Sequence, residues 1–275
     1  MNFDKYKLTG QSVSLKDFPT SADHDVDDDD LRKQHRKVTK ELRELQRELY
    51  AESKQSILMV LQAMDAAGKD SSIAKLTSEL NTQGSRVTSF KKPTALEQSH
   101  DFLWRIHNKA PAAGEMVFFN RSHYEDVLVV KVHGWVDEQQ IQRRYSNINE
   151  FEALLNDRGT RVIKCMLNIS PEYQLQRFTS RLENPGKYWK FNPGDLDERQ
   201  HWVDYMAAFE NAMTQCASTS APWFVVPAEN RRFRDLMLAT ILRDTLLDMG
   251  AKYPAPDFDL SDYNADNIAE LAKIN

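Results

Sequence analysis

The sequence has few cysteines and no long apolar run. Cys165 and Cys216, its 2 cysteines, lack metal-ligand spacing, which argues against a disulfide scaffold and favours buried, inert thiols. The longest apolar runs, ILMVL and VLVV, are too short to cross a bilayer. The first ten residues are polar and charged and do not resemble a targeting segment. We therefore expect a cytoplasmic protein with no membrane partner.

The chain also lacks an excess of basic residues. Lys and Arg number 36 against 41 Asp and Glu, a formal net charge of -5. Nucleic-acid binding depends on many Lys and Arg side chains that neutralise phosphates, so we expect no nucleic-acid partner. Glycine and proline are few, at 9 and 10 residues, while 41% of the residues are hydrophobic. This composition favours one large core with smaller additions.

The first helical pattern has an apolar face and a basic stripe. An acidic run, DHDVDDDD at 23–30, precedes it and would cap the helix, since carboxylates stabilise a helix N-terminus. The apolar face comprises Leu31, Val38, Leu42, Leu45 and Leu49, and the basic stripe comprises Arg32, Arg36, Lys40, Arg43 and Arg47. Two interpretations of the stripe are open: a solvated face of a packing helix, or a face that contacts an anion.

Five β-rich runs alternate with helical patterns from Gln55 onward. They lie at 56–62, 86–90, 116–120, 161–169 and 223–227. Such alternation predicts an α/β fold in which a parallel five-stranded sheet is covered by helices on both faces. Ligands in such folds bind at the carboxyl ends of the strands. The segments that follow the first and third runs are therefore expected to meet at one edge.

The segment VLQAMDAAGKDSSIAK, at 60–75, has the form of a phosphate-binding loop. Small residues let backbone N–H groups approach a phosphate, a helix N-terminus attracts the anion, and Lys69 adds a point charge. Ala63 and Asp70 stand where this motif usually has Gly and Ser or Thr. Asp65 would repel a phosphate unless it holds Mg²⁺ or faces an acceptor. The alternative is that Asp65 only forms the turn.

The segment FFNRSHYEDVLVVKVHG, at 118–134, places polar residues after the third run. A phosphate-loop enzyme usually has a metal-binding Asp at the end of this strand, whereas Asn120 is a neutral and weaker metal ligand. Arg121 is a candidate phosphate clamp, because a cation near a sheet end needs an anionic partner. Glu125 and Asp126 follow at the start of a predicted helix, where the simplest interpretation is that they cap its N-terminus. His123 and His133 lack neighbours at metal-ligand spacing, so we do not predict them as ligands.

A second basic region spans 177–202. Arg177 and Arg181 share one helix face, and Lys187 and Lys190 follow in a segment punctuated by Pro and Gly. We interpret this region as a mobile lid that adds cations over a phosphate and excludes water. A surface loop with solvated lysines is the alternative. Asp195, also in this region, is a predicted metal ligand together with Asp65.

Three blocks together resemble polyphosphate kinase family 2. They are DAAGKDSSI, FFNRSHYEDVLVVKVH and NPGKYWKFNPGDLDERQHWVDYMAAFE, joined by FKKPTALEQSHDFLWR and APWFVVPAENRRFRDL, and the likeness runs from about Leu31 to Met249. The resemblance implies a P-loop kinase (thymidylate kinase-like) three-layer fold. It also implies an N-terminal helical extension at 1–54, a core at 55–250 with a helical lid at about 183–200, and a C-terminal tail at 251–275.

The resemblance further implies reversible, in-line phosphoryl transfer from inorganic polyphosphate to AMP and ADP, with Mg²⁺ as cofactor and Mn²⁺ as a possible substitute. The likeness is greatest to the branch that acts on nucleoside mono- and diphosphates, for which Asn120 is typical. Asp65, Lys69 and Arg121 are the catalytic residues that it implies. The implied nucleotide contacts are Ala66, Gly68, Asp70, Ser71, Lys91, Pro93, Thr94, Asn120 and Glu125, and the implied polyphosphate contacts are Arg36, Lys40, Arg177, Arg181, Lys187 and Lys190.

Family members tend to be homo-oligomers, so we expect a dimer or tetramer. Two other functions remain open. An ATP-dependent nucleoside monophosphate kinase would normally keep the Gly and the Ser or Thr that are replaced at Ala63 and Asp70. A non-catalytic nucleotide-binding scaffold would most easily lose Asp65, Lys69 and Arg121, all of which are present.

Overall fold

A six-stranded mixed sheet forms the centre of the computed structural model, which describes residues 1–22, 27–263, 265 and 267–273. The strands are β1 (Lys7–Leu8), β2 (Ser56–Gln62), β3 (Ser85–Ser89), β4 (Met116–Asn120), β5 (Thr160–Asn168) and β6 (Trp223–Pro227). Their order across the sheet is β1-β6-β5-β2-β4-β3. The five strands β2 to β6 run parallel, and β1 pairs antiparallel with β6.

The prediction of a parallel five-stranded sheet is therefore wrong by one strand. The alternating pattern that reveals a strand in sequence needs at least four residues, and β1 has two. The bounds of β2, β4 and β6 match the predicted runs, whereas β3 and β5 each begin and end one residue earlier than predicted.

Eleven α-helices lie in the described part of the chain. They are α1 (Asp28–Glu52), α2 (Lys69–Thr77), α3 (Ala95–Gln98), α4 (Trp104–His107), α5 (Val129–Val132), α6 (Glu138–Asp157), α7 (Pro171–Leu182), α8 (Gly194–Gln200), α9 (Trp202–Cys216), α10 (Arg231–Met249) and α11 (Ile268–Leu271). Short 3-10 helices occupy Asp4–Tyr6, Leu15–Asp17, His123–Asp126 and Pro185–Lys190. None of the described helices has an apolar stretch long enough to cross a membrane.

Helices cover both faces of the sheet, which confirms the α/β class. On β2, Ile57, Met59 and Leu61 face a core that includes α1, α2 and α10, while Leu58 and Val60 face a core that includes α6 and α9. A strand that is buried on both faces is apolar throughout. This explains why β2 has the clearest strand signal in the sequence.

The apolar face predicted for the first helix is confirmed. Leu31, Val38, Leu42 and Leu49 are buried, and Leu45 packs partly buried against the same core. The helix begins after Asp27, whose carboxylate accepts a hydrogen bond from the Asp29 backbone N–H at 3.1 Å. Asp27 is thus the N-cap, as its acidic run predicts. Residues 23–26 of that run lie outside the described residues.

The sheet topology selects one place for a ligand. After β2 the chain crosses to β3 and β4 on one side, and afterwards to β5 and β6 on the other. Such a reversal opens a crevice beyond the carboxyl end of the central strand. The phosphate-loop segment begins at that end of β2, and Asn120 ends the neighbouring β4.

Candidate active site

The loop between β2 and α2 combines strained backbone with a helix N-terminus. Ala66 and Gly68 both have positive φ angles, 65° and 102°, and Gly68 is the N-cap of α2 without a side-chain cap. A Cβ atom at Gly68 would collide with the guanidinium of Arg234, so the close approach of Arg234 requires glycine here. The positive end of the α2 dipole therefore opens toward the crevice, where it favours an anion.

Lys69 is buried under this loop. Its Nζ donates hydrogen bonds to the carbonyl oxygens of Ala63, at 2.7 Å, and Met64, at 3.2 Å. Burial lowers the pKa of the Lys69 ammonium, and the nearby Asp65 carboxylate partly offsets that effect. The ammonium is thus held beside the helix N-terminus, where it can bind a phosphate oxygen.

Arg121 and Asp65 form an ion pair at the same edge. The Arg121 Nη2 donates to Asp65 Oδ1 at 2.8 Å, and Nη1 lies 3.9 Å from the Glu125 carboxylate. Burial alone would lower the pKa of Arg121, but Glu125 and Asp65 more than offset it, so this pKa is raised. Within the described part of the chain, the Asp65 carboxylate accepts from Arg121 and from no backbone N–H. This geometry favours a role for Asp65 beyond forming the turn.

A buried network fixes the turn that carries Arg121. Arg121 itself has a positive φ of 62°, a strained conformation that persists where neighbouring contacts determine it. Two and three residues later, His123 Nε2 and the Tyr124 hydroxyl lie 3.2 and 2.8 Å from Glu152 Oε1. Lys164 donates to Glu152 Oε2 at 2.5 Å. Burial would raise the pKa of Glu152, but Lys164 and His123 lower it below its usual value.

Asn120 and Asp70 contact each other across the crevice. The Asn120 Nδ2 donates to Asp70 Oδ1 at 2.5 Å. Asp70, which replaces the usual Ser or Thr, lies in the first turn of α2. This contact links the end of β4 to the start of α2 beside the loop.

A cavity of about 680 Å³ lies at the carboxyl edge of the sheet. The structure brings together there the predicted residues Asp65, Ala66, Gly68, Lys69, Asp70, Ser71, Lys91, Asn120, Arg121, Arg177, Arg181, Lys187 and Lys190. Among the described residues that line it, ten are Lys or Arg and two are carboxylates. Burial and the neighbouring Arg231 lower the pKa of Arg177. Positive charge is therefore in excess at this cavity, which suits a polyanion.

Sequence reasoning missed Lys92, Tyr173, Arg231 and Arg234, which also line the cavity. Arg234 is only 2% exposed, and its Nη2 donates to Asp235 Oδ1 at 2.8 Å and approaches Ser71 Oγ at 3.4 Å. The available signal was the basic run in ENRRFRDL, which directly follows the last strand and therefore begins a helix at the same edge.

A second, smaller cavity of about 280 Å³ lies beside Asp65. Glu125 and Asp195 line it together with Asp65 and Arg121. Burial and the Asp65 carboxylate raise the pKa of Asp195, although Arg181 holds Asp195 in an ion pair at 3.1 Å. Burial also raises the pKa of Glu125.

No cluster of three or more His, Cys, Asp or Glu side chains among the described residues is arranged to hold a metal ion. Mg²⁺ does not need such a cluster, because it keeps several waters and binds through one or two carboxylates plus substrate phosphates. Asp65 and Asp195 fit that requirement, since the repulsion between two neighbouring carboxylates favours a divalent cation.

Four predicted contacts lie away from both cavities. Pro93 lines a different cavity, and the Thr94 hydroxyl caps α3 by accepting from the Glu97 N–H at 3.2 Å. Arg36 and Lys40 are exposed on α1 and do not line the cationic cavity. Three of their neighbours in the basic stripe form ion pairs with carboxylates: Arg32 with Asp29, Arg43 with Glu79 and Arg47 with Glu44.

A family model described as Polyphosphate kinase 2 (PPK2) matches residues 25–254. The chain belongs to the polyphosphate kinase 2 family. Two curated relatives support this. The AMP/ADP-polyphosphate phosphotransferase of Meiothermus ruber is 46% identical over 220 residues, which are 80% of this chain and 82% of that protein. The ADP-polyphosphate phosphotransferase of Rhodopseudomonas palustris is 37% identical over 262 residues, 89% of either chain.

The polyphosphate kinase 2 fold is also shown by a solved structure. The crystal structure of Polyphosphate Kinase 2 from Arthrobacter aurescens TC1 superposes with a TM-score of 0.92 at 38% identity, over 95% of each chain. The resemblance read from the three sequence blocks is therefore confirmed, and the α/β class is confirmed with it.

Proposed function

We propose that this protein transfers a phosphoryl group reversibly from inorganic polyphosphate to AMP and ADP. The observation that carries the proposal is the cationic cavity over the phosphate loop, with ten Lys and Arg side chains in a chain whose net charge is -5. A long polyanion needs an extended basic channel, whereas a single nucleotide does not. The similarity to the Meiothermus ruber AMP/ADP-polyphosphate phosphotransferase supports both acceptors.

In this proposal the loop and the α2 N-terminus hold the phosphate of the acceptor nucleotide. A terminal oxygen of that phosphate attacks the end phosphorus of polyphosphate in line. The bridging P–O bond breaks, and the shortened polyphosphate leaves with the bond electrons. Lys69 and Arg121 stabilise the charge on the transferred group, so the step needs no covalent enzyme intermediate. The reverse step is equally accessible because one phosphoanhydride replaces another.

The basic side chains of the lid segment would hold the donor chain. Arg177, Arg181, Lys187 and Lys190 lie on α7 and on the 3-10 helix Pro185–Lys190, and all four line the cavity. We propose that the segment at about 183–200 closes as the helical lid of a thymidylate kinase-like P-loop kinase. Closure would exclude water and add positive charge near the donor.

We propose Asp65 and Asp195 as the residues that hold Mg²⁺, or Mn²⁺ as a substitute. When bound, the cation supplies positive charge that neutralises phosphate oxygens. The two carboxylates line one cavity beside the loop. Arg181 pairs with Asp195 at 3.1 Å and also lines the cationic cavity, so in this proposal it turns to the donor phosphates when Asp195 holds the cation.

The decisive test is a donor comparison with purified protein. Polyphosphate, Mg²⁺ and AMP are mixed, and nucleotides are separated by anion-exchange chromatography over time. We expect ADP first and ATP later, with no product when polyphosphate is omitted. Fast reaction of ATP with AMP, and none with polyphosphate, would instead identify an ATP-dependent kinase. Nucleotide binding without any transfer would identify a scaffold.

A homo-oligomeric state and a cytoplasmic location remain predictions. Sedimentation of the purified protein would distinguish a monomer of 31.8 kDa from a dimer or tetramer.

A further inference from the structure

Gln174 joins the lid helix α8 to the backbone of the phosphate loop. This residue of α7 is 1% exposed. Its Nε2 donates to the Asp65 carbonyl oxygen at 3.0 Å, and its Oε1 accepts from Arg199 Nη1 at 2.9 Å. The same Arg199 nitrogen donates to the Pro171 carbonyl oxygen at 2.7 Å. One buried amide thus contacts both the loop and α8.

The loop needs this contact because its backbone is strained. Three successive carbonyl groups accept side-chain hydrogen bonds: those of Ala63 and Met64 from Lys69, and that of Asp65 from Gln174. The next residue, Ala66, has a positive φ of 65°. A non-glycine residue keeps such a conformation only where surrounding contacts determine it.

Lys69 divides its three N–H groups between the loop and the phosphate. Two of them donate to the Ala63 and Met64 carbonyls, which leaves one for a phosphate oxygen, so a second bond to phosphate would weaken this support. The Gln174 amide has no assigned contact with substrate, so its bond to the Asp65 carbonyl can persist throughout the reaction. It fixes the peptide plane between Asp65 and Ala66, and with it the direction of the Asp65 side chain.

We propose that Gln174 is a positioning residue that couples the placement of α8 to the orientation of Asp65. The proposal rests on the proposed function, because it assumes that Asp65 acts in phosphoryl transfer. Asp195 lies on α8 and lines the small cavity beside Asp65. A shift of α8 would therefore move Asp195 directly and Asp65 through Arg199 and Gln174.

The test compares four single variants and one double variant in steady-state kinetics. Gln174→Met keeps the side-chain length and removes both bonds. Gln174→Glu keeps an acceptor for Arg199 but places an oxygen against the Asp65 carbonyl, and Arg199→Met removes the other half of the link. Gln46→Met is the matched control, because Gln46 is 0% exposed and its amide also makes one donor and one acceptor bond, both to Asn81.

We expect kcat to fall about tenfold in both Gln174 variants, with less than a twofold change in KM for AMP and polyphosphate, because small misplacement of a reacting group affects mainly the chemical step. The double variant Gln174→Met/Arg199→Met should be no slower than Gln174→Met alone. Near-normal kcat in Gln174→Glu would overturn the proposal, since it would reduce Gln174 to an anchor between α7 and α8. Additive losses in the double variant would also overturn it.

Hydrogen–deuterium exchange of the free protein supplies a readout that does not depend on activity. Loop amides in a peptide covering 63–70 should exchange faster in Gln174→Met and in Arg199→Met, and at the unsubstituted rate in Gln46→Met. Unchanged loop exchange in Gln174→Met would refute the coupling. Failure of the unsubstituted protein to use polyphosphate would refute the proposed function instead, and the exchange data would still decide whether Gln174 holds the loop.

Discussion

Substitution of Asp65 by Asn separates a catalytic role from a structural one. Asn has nearly the same shape and serves a turn as well as Asp does, but it has no negative charge. If Asp65 helps to hold Mg²⁺ between the phosphates, Asp65→Asn should fold and bind nucleotide yet lose most activity. If Asp65 only shapes the loop, the variant should resemble the unsubstituted protein.

The structure predicts a small loss of stability and a large loss of activity for Asp65→Asn. Asp65→Asn weakens the 2.8 Å pair with Arg121, whose side chain is 41% exposed, while that of Asp65 is 28% exposed. Solvent screens such a pair, so its loss should cost about 0.5–1 kcal/mol of unfolding free energy and lower Tm by about 1–4 °C. Loss of one preorganised electrostatic contact in a transition state typically costs about 100-fold in kcat. The expected activity loss is therefore much larger than unfolding can explain.

The assay is the initial rate of ADP formation from AMP and polyphosphate across a Mg²⁺ titration, with Tm measured on the same samples. We expect kcat about 100-fold lower and a half-maximal Mg²⁺ concentration at least several-fold higher. Asp137→Asn is the control, since Asp137 caps α6 through the Gln140 N–H at 2.7 Å and Asn caps equally well. A titration curve for Asp65→Asn that overlays that of the unsubstituted protein would refute the reasoning.

Three further predictions concern other parts of the molecule. Lys69→Met should lower kcat about 100-fold or more, because it removes a charge that stabilises the transferred group; near-normal turnover in a folded variant would remove Lys69 from the site. Combined Lys187→Gln and Lys190→Gln should raise KM for polyphosphate more than KM for AMP, and added salt should have the same effect; a rise confined to the AMP KM would contradict the assignment. Cys165 and Cys216 should not react with a thiol reagent at pH 8 until the protein unfolds, since both are buried and burial raises the pKa of Cys216 to about 12; rapid labelling of the native protein would contradict their burial.

The parts of the fold that the sequence predicts well are those governed by local patterns. Apolar runs such as that of β2 are buried on both faces, so their composition alone marks them as strands. The sequence does not predict β1, because its pairing with β6 depends on a contact between segments that lie far apart in the chain. Two residues carry too little pattern to show such a contact.

The candidate site was predictable to the extent that its residues lie in compact motifs. Asp65, Lys69 and Arg121 follow strand ends and could be placed at one edge by topology alone. Topology also brings the start of α10 to this edge, but which of its arginines lies under Gly68 depends on how α10 packs against α2. The burial of Lys164 against Glu152 was equally unpredictable, since it requires knowledge of the side chains that surround β5.

The pairing of β1 with β6 also affects how the chain folds during synthesis. Lys7 lies opposite Phe224 in the sheet, so the strand that is synthesised before the other strands of this sheet pairs with the one that is synthesised after them. At the usual rates of translation, roughly ten seconds or more separate the synthesis of β1 from that of β6. During that interval β2, β4 and β5 can already pair, and we expect the sheet to grow outward from its centre. The closing of this edge is therefore the final step of the sheet, and until then β6, when it emerges, offers an open edge that could pair with another chain.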